Sequence, residues 1–468
     1  MSIFNFSKRS ILDLFICFCS LILVALAPST YSYSYCMLIH NLFLLTFAYN
    51  IYKNRREGFL TFNLLFSVSL YCTSFIYPVF FYNTNERYFG MFSYDFDEQI
   101  ISYATGVAYM AYCFLQLGLN NRHAMTGNRM KEINIEKFDL KKGLNILNCI
   151  FLIMLAYFLI NGGTGYFADQ FEYDLSDQDK IMGYIVQFIT PIAYGILILA
   201  FLLPQKKCVS FYISVFLVGF YTLVILSTGS RTIPLALIII TIVMYNDRIK
   251  RLGMARLAIL GVVFVLVMVL AGALRGNGEL ISSSSLSQNA SSIIQEKSDN
   301  YFSFANELII CNRNLYYLIS SAHNLTYTFG VTLLGSVLGI VPFLRSFVMS
   351  VFGVPEYVLN SALYNTFLST GPNYTKGLGT HAVADIYLCW GIIGVIIVFY
   401  LYGYLITTFK SNKTNIYSMV VYYMIVSNAV YACRASILNL NQILWTVIIV
   451  YLILKLSRKK MILMKQTN

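Results

Sequence analysis

The hydrophobic positions of this chain fall in long, nearly unbroken runs. They do not show the three-to-four spacing of a surface helix or the alternation of a half-buried strand. Twelve such runs lie near residues 11–28, 33–52, 59–82, 99–118, 143–160, 182–203, 209–227, 232–245, 257–274, 382–408, 416–433 and 437–456. A helix needs about 20 apolar residues to cross the hydrocarbon of a bilayer, so each run predicts a transmembrane helix. The run at 232–245 is short and requires tilt or a shifted neighbour. The predicted fold class is therefore an all-α integral membrane protein of about 12 transmembrane helices. Residues 11–28 lack a small-residue cleavage site and are expected to stay as the first helix rather than as a cleaved leader.

The polar interruptions carry a second pattern. With Lys8 and Arg9 placed in the cytoplasm, 24 of the 33 Lys and Arg residues fall on that side. They include Lys53, Arg55 and Arg56 after the second run, Lys410 and Lys413 after the tenth, and Arg458 to Lys460 in the tail. One assignment satisfies every loop, as the positive-inside rule requires, and it puts both termini in the cytoplasm.

One connection differs from the rest. Residues 1–274 hold nine runs, residues 382–468 hold three and the tail, and between them residues 275–381 form a long external, periplasmic loop expected to contain helices. Inside it, Thr328 to Gly353 is apolar enough to suggest a thirteenth crossing. A crossing would move the basic groups at Lys410 and Arg458 outside. The segment also contains Pro342 and Arg345, so it reads as re-entrant or interfacial.

Composition agrees with this picture. The chain of 468 residues is 58% hydrophobic and 12% charged, whereas soluble domains are about one-quarter charged. The net charge of +12 follows from topology and implies no nucleic-acid partner. Most of the ten cysteines sit inside apolar runs, with neither disulfide nor zinc spacing. The acidic window Gly162 to Lys180 lacks the spacing of a calcium loop and reads as a solvated connection.

Candidate chemistry gathers at the external ends of the runs. Arg231, in Ser227-Thr228-Gly229-Ser230-Arg231-Thr232, stands in a turn with almost no loop, at or below the membrane surface, where a charge is expensive. Arg275 ends the ninth run and is followed by Gly-Asn-Gly, a flexible backbone suited to an anion. Arg434 occupies another tight turn. Three guanidiniums at the ends of separate helices suit a diphosphate at headgroup depth; the competing reading is arginines snorkelling to lipid headgroups. His381 precedes the tenth run, with Asp385 four residues on. If the helix has begun by then, both share a face and the carboxylate raises the basicity of the imidazole. That arrangement suits a general base for a sugar hydroxyl; the competing reading of His381 is a polar residue of the membrane interface. Asp385 and Glu279 are base candidates in their own right. No P-loop, dinucleotide fingerprint, HExxH or GxSxG motif occurs, so the energy must arrive with the substrate, and no cofactor or metal is expected.

The Gly-Ser-Arg turn, the arginine before the longest external loop, and Gly377-Leu378-Gly379-Thr380-His381-Ala382-Val383-Ala384-Asp385-Ile386-Tyr387 leading to Trp390-Gly391-Ile392-Ile393-Gly394 together resemble bacterial O-antigen polymerases of the Wzy type, the oligosaccharide repeat unit polymerases. That resemblance implies a GT-C-like lipid-dependent glycosyltransferase at the periplasmic face of the bacterial inner membrane. It implies transfer of a growing glycan from undecaprenyl diphosphate to another lipid-linked oligosaccharide, without nucleotide sugar or metal. Arg231 and Arg275 would hold diphosphates, and a polysaccharide chain-length regulator is an implied partner. The related O-antigen ligases use a loop histidine, and His381 occupies a comparable place. The Gly-x-Gly-Thr and Asp-Ile-Tyr pattern is closer to the polymerases. The rival readings are an O-antigen ligase and a lipid-linked glycan flippase or transporter. The flippase is disfavoured by the external position of the long loop and by how few charges lie within the runs.

Overall fold

A computed structural model describes residues 8–54, 60–82, 98–121, 138–163, 165, 177–203, 208–228, 230–253, 255–257, 259–261, 306–324, 326–341, 343–372, 377–434, 436–437 and 440–458. The ninth expected span, most of the acidic window, Arg275 and Glu279 lie outside these residues.

The described chain is a helical bundle. Its first eight helices are α1 Lys8–Ala25, α2 Tyr33–Asn54, α3 Phe62–Ser74, α4 Ile100–Leu119, α5 Leu140–Ile160, α6 Asp177–Leu202, α7 Val209–Ser227 and α8 Thr232–Arg248. A π-helical turn, Tyr77–Phe81, extends α3. Within the long connection lie α9 Cys311–Asn324, α10 Leu344–Phe352 and α11 Ser361–Thr370, and after it come α12 Ala382–Ser411, α13 Ile416–Ser427 and α14 Leu440–Leu456. Among the described residues, seven helical stretches are long and apolar enough to cross a membrane; α1, α13 and α14 contribute shorter apolar segments. Peripheral helices turn bare apolar faces outward, with Phe15, Ile153 and Phe216 each more than 60% exposed. Such faces suit lipid rather than water, and the chain is a membrane protein.

The relative sense of the helices follows the predicted alternation. Lys53 on α2 pairs with Asp13 on α1 at 2.8 Å, and Asn120 after α4 donates to Asn50 of α2. Thr407 of α12 donates to the carbonyl of Leu119, and Lys413 after α12 pairs with Asp247 of α8 at 2.7 Å. These residues share one end of the bundle, the Lys413 end. Ser74 after α3 and His381 before α12 meet at the opposite end.

The tightest packing is between α4 and α12, which run parallel. A Cβ at Gly118 would lie 2.2 Å from the Tyr400 carbonyl, and one at Gly403 would lie 2.3 Å from that of Leu115. Small residues allow this backbone approach, as is usual where lipid supplies no hydrophobic drive. Nearer its start, α12 bends at Gly391, whose φ of 62° no other residue adopts comfortably. The carbonyls of Leu388 and Cys389, freed by the bend, accept from the N–H groups of Thr328 and Phe329. The 20 residues from Ile392 to Ser411 span about 30 Å at 1.5 Å per residue, the thickness of the hydrocarbon. The first turns of α12 are therefore spare length at the His381 end.

The long connection is not wholly peripheral. Helix α9 packs against α3, α4 and α12, and most of its residues are buried. The apolar segment from Thr328 breaks into short pieces: a 3-10 turn Val331–Leu333, a helix Leu334–Leu338 and α10. None is long enough to cross. Neither helix buries a single residue, and Phe329, Phe347 and Phe352 face outward, the geometry of interfacial helices.

Candidate functional site

The polar residues of the His381 end converge on the turn before α12. Gly379 adopts φ 73°, folding Gly377 to Thr380 into a tight loop. Much of the backbone of this loop is hydrogen-bonded. The Leu378 N–H donates to Thr366 Oγ1 at 2.9 Å, the Leu378 carbonyl accepts from Asn314 Nδ2 at 3.0 Å, and the Gly379 carbonyl accepts from Asn365 Nδ2 at 2.8 Å. The N–H groups of Thr380 and Ala382 donate to the carbonyls of Arg434 and Cys433. Four elements distant in sequence, α9, α11, α12 and the turn after α13, thus meet at one loop. Unpaired backbone here would be costly, which explains why amide side chains line it.

His381 is the N-cap of α12. Its backbone is extended (φ −137°, ψ 126°), and Nδ1 accepts from the Val383 N–H at 3.2 Å. A neutral ring that accepts at Nδ1 carries its proton on Nε2, and Nε2 lies 3.1 Å from Ser74 Oγ. The side chain is fully buried, and burial pushes the imidazole down to about 3. Nδ1 thus caps α12 itself, and Nε2 ties α12 to α3.

Asp385, one turn into α12, is also buried. Its Oδ2 accepts from Ser361 Oγ at 3.0 Å, and Oδ1 accepts from Thr380 Oγ1. Ser361 begins α11, and Asp385 lies in the first turn of α12. The carboxylate therefore stands at the positive ends of two helices. The expected His381–Asp385 pair does not form, because the helix starts only at Ala382 and the extended cap aims the imidazole at α3.

Arg231 caps α8 and is half-buried, as is Arg434. Helices α8 and α13 pack together and run antiparallel, since Asp247 meets both Lys413 and Tyr423. About 16 helical residues lead from Asp247 back to Arg231, and about as many lead from Tyr417 on to Arg434, at 1.5 Å each. Both arginines thus reach the His381 end. Arg275 and Glu279 fall outside the described residues.

Two groups here carry no sequence signal of their own. Arg313 on α9, 1% exposed, packs its guanidinium 5.3 Å from the Tyr317 ring. His323, exposed at the end of α9, lies 2.8 Å from the Tyr387 hydroxyl, itself 3.0 Å from that of Tyr103. In the sequence, Arg313 and His323 are isolated in a mixed polar stretch. Only the burial of α9 gives them significance.

Together these features define a polytopic membrane protein with a polar, arginine-flanked site at one end of its bundle. The family model described as O-antigen polysaccharide polymerase Wzy matches residues 10–466, nearly the whole chain. The chain belongs to the O-antigen polysaccharide polymerase Wzy family. It is accordingly a polymerase of the glycosyltransferase type in O-antigen synthesis, acting on lipid-linked oligosaccharide repeat units. No curated protein and no solved structure is significantly similar to it.

Proposed function

We propose that the protein joins undecaprenyl-diphosphate-linked repeat units at the periplasmic face of the inner membrane, with both termini in the cytoplasm and about 12 spans in a GT-C-like arrangement. The observation that carries this reading is the gathering of the Gly377–Tyr387 motif, Arg231 and Arg434 at one end of the bundle, opposite the lysine-rich end. By the positive-inside rule the lysine-rich end is cytoplasmic, which leaves the site facing the periplasm.

In this reading Arg231, Arg275 and Arg434 hold the donor diphosphate. An acceptor hydroxyl attacks the anomeric carbon of the growing glycan, the bond from that carbon to the diphosphate oxygen breaks, and the lipid diphosphate leaves. The arginines stabilise the charge as it develops. The hydroxyl proton passes to a carboxylate, Asp385 or Glu279. Of the two residues committed to the motif, Asp385 retains acceptor capacity, because a carboxylate has about four lone-pair sites and two are used. His381, with both nitrogens engaged, acts instead as a positioning residue. A chain-length regulator would act on the same periplasmic surface.

The test is reconstitution of the purified protein with its lipid-linked repeat unit alone, followed by gel separation of the glycans. A ladder supports the polymerase. Product that appears only after addition of a lipid A core would make the protein a ligase. Movement of the substrate between leaflets without new bonds would make it a flippase.

A further inference from the structure

Beside the motif, the interfacial segment roofs a second polar space. A cavity of about 440 Å³ lies between Tyr184 and Gln187 of α6, Phe343 and Arg345 at the start of α10, Glu356 and Asn360 before α11, and Asn441 in the first turn of α14. A neighbouring cavity of about 580 Å³ shares Ser346, Met349 and Glu356 with it and adds Tyr357 and Phe367. The two form one cleft. Each volume falls in the range of roughly 300–1,000 Å³ typical of small-molecule sites.

The lining is built for a ligand with many hydroxyls. The Asn441 Oδ1 and Arg345 Nε atoms are buried without a hydrogen-bond partner among the described residues. Buried polar atoms are normally satisfied, so the Asn441 oxygen awaits a donor and the Arg345 N–H an acceptor from elsewhere. The Tyr357 and Phe367 rings stack 3.9 Å apart and nearly parallel, forming a rigid apolar wall that suits the C–H face of a sugar ring. Charge decides against a phosphate. Arg345 is neutralised by Glu356 at 3.0 Å, and the remaining polar lining is amide and hydroxyl. A diphosphate requires excess positive charge, which Arg231 and Arg434 supply elsewhere.

The cleft also adjoins the motif. Asn360 lines it and caps α11 by accepting from the N–H groups of Ala362 and Leu363. The next residue, Ser361, donates to Asp385. We propose that this cleft is the subsite for the neutral sugars of the acceptor repeat unit, separate from the arginine-lined diphosphate site. The assignment rests on the polymerase reading above.

The experiment measures binding rather than turnover. The chain has two tryptophans, Trp390 and Trp445. Trp445 sits one turn beyond Asn441, so a Trp390→Phe protein in nanodiscs leaves it as the sole tryptophan reporter. The probe is the lipid-free repeat-unit oligosaccharide, with inorganic diphosphate as the contrast. The oligosaccharide should shift Trp445 emission, and diphosphate should not compete. Asn441→Ala should weaken binding about tenfold, the loss of one buried hydrogen bond. Ser346→Phe, at an exposed position where folding is undisturbed, should block the cleft. Arg231→Ala should bind the oligosaccharide as the parent does. Undiminished binding by the cleft variants, or competition by diphosphate, would overturn the assignment. A glycan ladder from a protein that does not bind the free oligosaccharide would overturn the cleft and leave the polymerase standing. Binding without any ladder would do the reverse.

Discussion

His381 and Asp385 stand one helical turn apart and share no side-chain hydrogen bond. The imidazole bonds to Val383 and faces Ser74, whereas the carboxylate is bound by Thr380 and Ser361. The two residues therefore serve different joints: His381 ties α12 to α3, and Asp385 ties α12 to α11. Their substitutions should separate accordingly.

His381→Ala removes an N-cap and leaves Ser74 without its partner. The expected cost is about 1–2 kcal/mol of stability, read as a lower unfolding temperature in detergent. His381→Asn restores a capping oxygen and should recover most of that loss together with polymer formation. An inactive but fully stable His381→Asn protein would instead make the imidazole chemically necessary.

Stability should also depend on pH through His381. Its folded value is pushed down to about 3, below the ordinary histidine value of about 6.5. Between these values the unfolded chain binds a proton that the folded chain does not. Stability is therefore complete above about pH 6.5 and falls by about 1.4 kcal/mol per pH unit below it. Asp385, which burial raises to about 7, takes up a proton on folding over the same range and opposes this slope. The check is therefore a difference between proteins: between about pH 7.5 and about pH 5 the unfolding temperature of the parent should fall relative to that of His381→Asn.

Asp385→Asn preserves size and keeps one acceptor oxygen, so the fold should persist while chain lengthening falls at least about 100-fold, the usual contribution of a general base. A ladder of normal length from Asp385→Asn would transfer the role to Glu279. Arg231→Ala should likewise abolish lengthening while the protein remains at normal abundance; long polymer from that variant would remove the diphosphate assignment.

Gly391→Ala tests the bend of α12. The new Cβ would lie 2.8 Å from the Tyr327 hydroxyl, in a backbone region that L-residues rarely adopt. Such strain costs about 1–3 kcal/mol. The variant should be less thermostable and lose activity by displacing the first turns of α12, including Asp385 and Tyr387. Gly118→Ala acts differently, by driving α4 from α12 along the packed face. It should reduce the yield of folded, monodisperse protein, measured by size exclusion.

The membrane class was legible because it depends on local apolar runs and on charge beside them. Desolvation of a long apolar run and the cost of a misplaced lysine act on each segment separately, so no neighbour is needed to read them. The same reasoning disfavoured a thirteenth crossing at Thr328 to Gly353, a segment whose described helices are short.

Other features depend on partners far away in the chain. The motif from Gly377 to Tyr387 was visible as residues, yet its roles were decided by Ser74, Asn314, Ser361, Asn365 and Arg434. None of these is near it in sequence except through folding. The extended backbone of His381, the residue just before α12 begins at Ala382, separated it from Asp385, a distinction of one residue that periodicity does not resolve. Burial of Arg313 follows from the docking of α9 against α3, α4 and α12. The sequence by itself determined that the chain is a membrane protein, because that free energy is a sum over local side chains. Only the tertiary structure decided which polar groups meet at the His381 end, because a buried hydrogen bond exists only once both of its partners have been brought together.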